Sequence, residues 1–286
     1  KEASNLLMKI AFCTCVTLGL SCIEKIHSLG YNFDLFITLE DHLSQKKSGR
    51  VYLDNVAEKN NTPLLKINHI NDREVLQAIK DYEIDWLFII GWSQIASEEV
   101  INSCNKGVIG AHPTLLPKGR GRAAIPWSII KGLDKTGLTF FKMDIGVDTG
   151  DILEQIEIPI SSEETSSTLY DKVNIAHIDL MKKIWPQILD NSISPVKQDN
   201  SKASYWEGRK PKDGEINPEI MNLDEVDRLV RATTKPYPGA FLIHKKKKII
   251  IWEGIKNSTS KGMKIKCSDG IYLATKFEIK KYEPTN

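Results

Sequence analysis

The stretch "GVIGAHPTLLPKGRGRAAIPW", Gly107 to Trp127, delivers one histidine, His112, at the end of an apolar run, then breaks on prolines and glycines with basic residues between them. Downstream, "MDIGVDTGD", Met143 to Asp151, sets three aspartates in a segment too acidic and glycine-rich to stay in a β ladder. A histidine with a carboxylate beside it makes a general acid/base pair, because the carboxylate orients the imidazole and favours its charged form. A bend between the flanking strands would bring Asp144, Asp148 and Asp151 to His112. The same spacing also suits a histidine that merely hydrogen-bonds beneath a loop, and spacing alone does not separate the two. Other chemistries lack their parts. The chain has no G-x-S-x-G elbow, no H-E-x-x-H, no G-x-G-x-x-G after its first strand and no Walker loop. Cys13 and Cys15 alternate onto one strand face but have no second pair or neighbouring histidine, so no metal is expected.

The elements that must hold these residues alternate in kind. "KIAFCTC", "FDLFITL", "PLLKIN", "DWLFIIG" and "GVIGAH" read as strands, separated by helical stretches at Gly19 to Leu29, Tyr52 to Lys59, Arg73 to Tyr82 and Ser97 to Ser103. Strands apolar on both faces belong in a parallel sheet covered by helices on both sides. The fold class expected is therefore α/β, a doubly wound, mostly parallel sheet whose ligands lie at the C-terminal strand ends. A helix follows over Arg122 to Gly132, then two strands flank the acidic bend, and "TSSTLYDKVNIAHIDLMKKIWPQIL" reads as a long amphipathic helix with a Ser/Thr cap, whose His177 has no chemical role. From Tyr205 onward a short helix, a "KPYPGA" turn and about four strands predict a small β-rich unit of open-barrel, OB-like character. The expected organisation is residues 1–7 as an extraneous leader, 8–203 as the first domain and 204–286 as the second.

The whole chain of 286 residues has formal net charge +2. From Tyr205 on, 17 Lys and Arg face 11 Asp and Glu, so that part carries +6 and the preceding part −4. A basic unit suits phosphate contacts, or a solvated lysine surface; "KKKK" at 245–248 lies between two apolar runs, where a hairpin tip belongs. The cysteines number five, an odd count, and Cys13, Cys15, Cys22 and Cys104 sit in apolar segments, so reduced, buried thiols are expected. No run approaches the roughly 20 apolar residues of a membrane span, and no signal peptide is recognisable, so a cytoplasmic protein without membrane contact is expected.

"HPTLLPKGRGRAAIPW", followed 21 residues later by "DTGDI", resembles the folate-dependent formyltransferases. "RATTKPYPGAF" followed by "IIIWEG" is similar to the C-terminal module of methionyl-tRNA formyltransferases and of enzymes that formylate nucleotide-linked amino sugars. The resemblance implies transfer of a formyl group from N10-formyltetrahydrofolate, a co-substrate, to an amine, without a metal. Carried over by motif, the catalytic histidine falls on His112 and its aspartate on Asp148. The folate-binding segment falls on Gln94, Ile95 and Ala96, a basic residue after Leu-Leu-Pro on Arg122, and the pterin-side loop on Asp144, Ile145, Gly146 and Val147. One position departs. The family motif is Asn-x-His, and Gly110 stands where the asparagine would be; loss of such an oxyanion donor costs about 10²- to 10³-fold in rate. The chain has then lost catalysis, uses protonated His112 with a backbone N–H or water, or brings in another side chain.

The acceptor is read as a nucleotide-linked amino sugar of glycan biosynthesis, from "RGRAAIPW", "YWEGRKPKDGEI" and the compact second unit, with Trp206 and Arg209 as candidates for the nucleotide. Methionyl-tRNA is the alternative, carried by the +6 charge and the lysine cluster. A folate- or nucleotide-sugar-binding protein that no longer catalyses is the third reading. The partners expected are small molecules, folate and a nucleotide sugar, and the sequence leaves a homodimer open.

Overall fold

In the first strand, Ala11 and Cys13 face one side and Ile10 and Phe12 the other, and all four are buried. This double burial is what the apolar run demands, and it repeats over Leu35–Leu39 and Trp86–Ile89. The structure, a computed structural model, describes residues 8–44, 49–258 and 260–282; the leader expected at 1–7 lies outside them. The chain forms two compact units, one from the described residues of Lys1–Arg120, Gly137–Glu157 and Val173–Tyr205, the other from Gly121–Thr136, Ile158–Lys172 and Trp206–Asn286.

The alternation read from the sequence appears as β1 (Ile10–Cys13), α1 (Thr17–Ser28), β2 (Leu35–Leu39), α2 (Asp41–Ser44), α3 (Asp54–Lys59), β3 (Leu64–Ile67), α4 (Arg73–Asp81), β4 (Trp86–Ile89), α5 (Glu98–Ile101) and β5 (Gly107–His112). A two-residue strand β6 (Arg120–Gly121) and helix α6 (Ala124–Ile130) follow, then β7 (Lys135–Lys142), β8 (Ile152–Pro159) and α7 (Ser166–Leu189). The sheet order is β3-β2-β1-β4-β5-β7-β8. β1, β2, β3, β4 and β5 pair in parallel, while β5 pairs antiparallel with β7, placing His112 opposite Thr139 and Gly110 opposite Phe141. The chain winds outward from β1 in one direction and resumes at β4 on the other side, so the strand order reverses between β1 and β4, where such sheets leave a crevice.

One sheet face packs Val75 and Ile79 of α4 and Val100 of α5 over Leu35, Ile37, Leu87 and Val108. The other is aromatic: Phe12 stacks on Phe88 with centroids 5.6 Å apart, and Trp185 of α7 meets Phe33 at 5.2 Å. Capping starts α7, since Thr165 Oγ1 accepts from the Thr168 amide at 3.2 Å. All five cysteines are buried and free, Cys13, Cys15, Cys22 and Cys104 in the apolar segments that predicted it. No helix among the described residues is long and apolar enough to cross a membrane.

After β9 (Tyr205–Trp206), which pairs with β6, the second unit carries α8 (Leu223–Thr233), β10 (Ala240–His244), β11 (Lys247–Lys256), β12 (Met263–Lys266) and β13 (Ile271–Lys281). The four strands form an open antiparallel sheet, β10-β11-β13-β12. α8 begins with a reciprocal Asn222–Glu225 capping box and buries Val226, Leu229 and Val230 against Ile249, Ile251 and Tyr272. Of the four lysines, Lys245 and Lys246 form the β10–β11 turn, with φ of 46° and 60°, while Lys247 and Lys248 open β11. The hairpin tip expected there is present.

Candidate functional site

β5 ends on His112, a residue only 6% exposed. Its Nε2 lies 2.7 Å from the Gly119 carbonyl oxygen and its Nδ1 3.4 Å from Asp148 Oδ2. Both ring nitrogens therefore face acceptors. A neutral imidazole has one N–H and serves one of them; the imidazolium serves both. Of the three aspartates expected near His112, the fold delivers Asp148. Asp144 turns its Oδ1 inward, accepting from the Gly146 amide at 3.1 Å and the Thr149 hydroxyl at 2.6 Å, which shapes the loop instead of the pair. Asp151 gives its carbonyl to the Lys142 amide at 2.8 Å.

That loop is tightly specified. Asp148 adopts φ 55°, a left-handed conformation that a residue with a Cβ holds only when its surroundings enforce it. Gly150 is required by close approach: a Cβ there would sit 1.8 Å from the Lys142 carbonyl oxygen. Between these fixed points Ile145 is 77% and Val147 55% exposed. On the loop after β4, Ile95 is 80% exposed, whereas Ala96 is buried in the core. Gln94 is engaged rather than open, its Oε1 accepting from the Ile70 amide and its Nε2 donating to the Asn68 carbonyl, both at 2.9 Å. Three large apolar side chains left in solvent on loops leading from the sheet fit a flat, partly apolar ligand better than a polar one.

Arg122 belongs to the second unit, where it lines a cavity of about 430 Å³ with Ala123, Glu207, Gly208, Arg209 and Lys210. In that unit the Arg209 guanidinium lies 4.9 Å over the Trp127 ring, and the Lys131 ammonium 5.4 Å over Trp127 and 5.9 Å over Trp206. Another basic residue of the motif, not singled out from the sequence, is Arg120. Arg120 is 1% exposed and belongs to the unit that holds His112. Its position between two glycines of the motif was the only local signal.

Gly110 has its space filled. A Cβ built on it would lie 3.0 Å from Phe141 Cζ, 3.1 Å from Met143 Cγ and 3.3 Å from Met143 Sδ. Apolar groups stand where an asparagine side chain would begin. His177 is buried on α7, with Nδ1–H donating to the Val173 carbonyl at 2.8 Å, and burial pushes its pKa down to about 4.

The formyl transferase family model matches residues 40–184, and the formyl transferase C-terminal domain matches 209–285. The chain is 34% identical over 240 residues to the bifunctional polymyxin resistance protein ArnA of Wigglesworthia glossinidia brevipalpis, a match that covers 82% of this chain and 36% of that protein. The chain thus spans about a third of that relative's length. Among solved structures, the N-formyltransferase of Helicobacter canadensis, in complex with folinic acid and dTDP-3-aminofucose, is 21% identical with a TM-score of 0.69, covering 93% of this chain and 98% of the other. The methionyl-tRNA formyltransferase of Clostridium thermocellum is 22% identical with a TM-score of 0.63, covering 96% of this chain and 100% of the other. Both share the fold.

Proposed function

The chain belongs to the formyl transferase family, and on that premise we propose that it moves a formyl group from N10-formyltetrahydrofolate to the amine of a nucleotide-linked amino sugar. The observation that carries the reading is the His112–Asp148 pair, 3.4 Å apart at the end of β5 in the motif that resembles the family. The folate supplies the formyl carbon on a nitrogen that leaves as a neutral amine. His112 takes the proton that the attacking amine must lose and returns one to the leaving nitrogen, so that the ring ends as it began. Asp148 orients the imidazole and stabilises its charged form during that interval. With Phe141 and Met143 closing the Gly110 position, the donor to the developing oxyanion falls to a backbone N–H or a water, while the imidazole carries the proton. Ile95, Ile145 and Val147 supply apolar contact for the pterin and its ring linker.

The nucleotide-sugar reading draws support from the aromatic and basic groups gathered in the second unit, Trp127, Trp206, Lys131 and Arg209, and from the solved relative bound to dTDP-3-aminofucose. A cytoplasmic setting, where both substrates are soluble, is part of the same proposal. Methionyl-tRNA stays as the second reading because the β10–β11 turn presents lysines to solvent. The test is to incubate the protein with formyltetrahydrofolate and a panel of nucleotide-linked amino sugars, with methionyl-tRNA as a parallel arm, and to follow a formyl mass increment. Formylation of a sugar nucleotide is expected. Formylation of methionyl-tRNA alone, or of nothing, overturns the proposal.

A further inference from the structure

Gln198, on the segment between α7 and β9, has a fully used side chain. Its Nε2 donates to the carbonyl oxygens of Asp148 at 2.9 Å and Gly150 at 2.7 Å. Its Oε1 accepts from Arg120 Nε at 3.1 Å and Nη2 at 2.7 Å. A primary amide has two N–H donors and two acceptor lone pairs, so none is left over. The buried Arg120 guanidinium also donates to Asn200 Oδ1 at 2.7 Å and to the Tyr205 hydroxyl at 2.8 Å. Among the described residues the guanidinium's hydrogen-bond partners are neutral and belong to residues 198–205. A buried charge is costly to leave without partners, so this fork fixes that segment in one place.

These bonds close a ring around the His112–Asp148 pair. The imidazole Nε2 meets the Gly119 carbonyl, which shares a peptide unit with the Arg120 amide, itself bonded to the Ser204 carbonyl at 2.9 Å. The guanidinium of the same residue holds Gln198, and Gln198 holds the Asp148 carbonyl. The Asp148 carboxylate then faces Nδ1. Ile152 and Val196 exchange two backbone hydrogen bonds of 2.8 Å, fixing the register of the segment that carries Gln198. Rotation of the Asp148 peptide out of its φ of 55° would take its carbonyl from Gln198 and swing its carboxylate from the imidazole.

The geometry points to Gln198 as the positioning residue that holds Asp148 against His112, with Arg120 as the group that holds Gln198. The inference rests on the acid/base reading of the pair. A plainer role, fastening residues 196–205 to the first unit, makes a different prediction for Gln198→Glu. Glutamate keeps the length and accepts from Arg120 as a charge-assisted pair, so the segment stays fastened. It has no N–H for the two carbonyls and sets a negative charge against them.

The experiment compares wild type, Gln198→Glu and Asp148→Asn for melting temperature, kcat and KM, amide hydrogen exchange over residues 144–151, and the 15N ring signals of His112. For Gln198→Glu the expected result is a melting temperature held near wild type, kcat reduced on the order of 10²-fold with KM little changed, faster exchange in the loop, and ring signals moved in the same sense as in Asp148→Asn. Wild-type kcat, exchange and ring signals in Gln198→Glu would overturn the inference. The exchange and ring signals need no turnover, so they decide the matter even if no amine is formylated. Wild-type protein supplies a further check should the variant not fold: the Gln198 side-chain amide protons must exchange more slowly than those of the exposed Gln77, and equal rates overturn the inference.

Discussion

Gly110→Ala isolates the steric side of the missing asparagine. The new Cβ would stand 3.0 Å from Phe141 Cζ and 3.1 Å from Met143 Cγ, closer than carbon atoms rest, with Phe141 paired directly opposite on β7 and 4% exposed. Overpacking of this kind costs about 1–3 kcal/mol. In a domain of about 200 residues each kcal/mol moves the melting temperature by about 2–4 °C, so a fall of about 2–12 °C is expected by calorimetry. Gly110→Asn should fall further, by about 1–3 kcal/mol, because its amide enters an apolar space. Truncating the neighbour tests the cause: in a Met143→Ala background the Asn substitution should be less costly by about 1 kcal/mol or more, a coupling read from a double-mutant cycle. A Gly110→Ala protein as stable as wild type, or an absence of coupling to Met143, would refute the claim that apolar packing closes this position.

Removing the pair should separate chemistry from stability: His112→Ala and Asp148→Asn should each abolish most turnover while circular dichroism stays unchanged, and full activity in His112→Ala sinks the assignment. 5-Formyltetrahydrofolate, an unreactive mimic, should raise the melting temperature by mass action while NAD and ATP do not, and no shift at millimolar ligand counts against a folate site. Changing Lys245 to Lys248 to serine should alter KM for a sugar nucleotide by less than about threefold; a large loss that deepens with salt would move the acceptor assignment to tRNA. Burial lowers the His177 pKa from 6.5 to about 4, so between those values the unfolded chain binds a proton that the folded chain refuses. Its contribution is full above pH 6.5 and falls by about 3 kcal/mol as pH drops to about 4, a slope in urea-denaturation stability that His177→Gln should flatten.

The α/β alternation was legible because the central strands had to be apolar on both faces, as Ile10 to Cys13 and Trp86 to Ile89 are. The direction of β7 was not, since period-2 patterning reports faces and says nothing about the partner strand. β6 and β9 are two residues each, too short for any periodicity. The cap of α7 and the lysine turn were legible for a local reason: Thr165 and Lys245–Lys246 act on atoms within a few residues of themselves. In the site, His112 and the 143–151 bend announced themselves by composition, but three aspartates in one bend look alike in sequence. Only the folded loop, with Asp144 bonded to Thr149, shows which carboxylate is left to meet the imidazole.

The two arginines of "RGR" show why a motif read as a string can mislead. In an ordinary strand, residues two apart share a face, and Arg120 and Arg122 would be interchangeable candidates for one anionic group. Gly121 between them has φ 108°, outside the range an L side chain favours, and a Cβ there would fall 2.3 Å from the Trp206 carbonyl oxygen. The glycine breaks the alternation. Arg120 turns into the first unit, where its neutral partners lie 78 to 85 residues away in sequence and no local pattern signals them. Arg122 goes to the second, lining the cavity with Arg209 and Lys210. Two like charges two residues apart thereby take separate settings, Arg120 buried against Gln198 and Arg122 exposed beside Arg209 and Lys210.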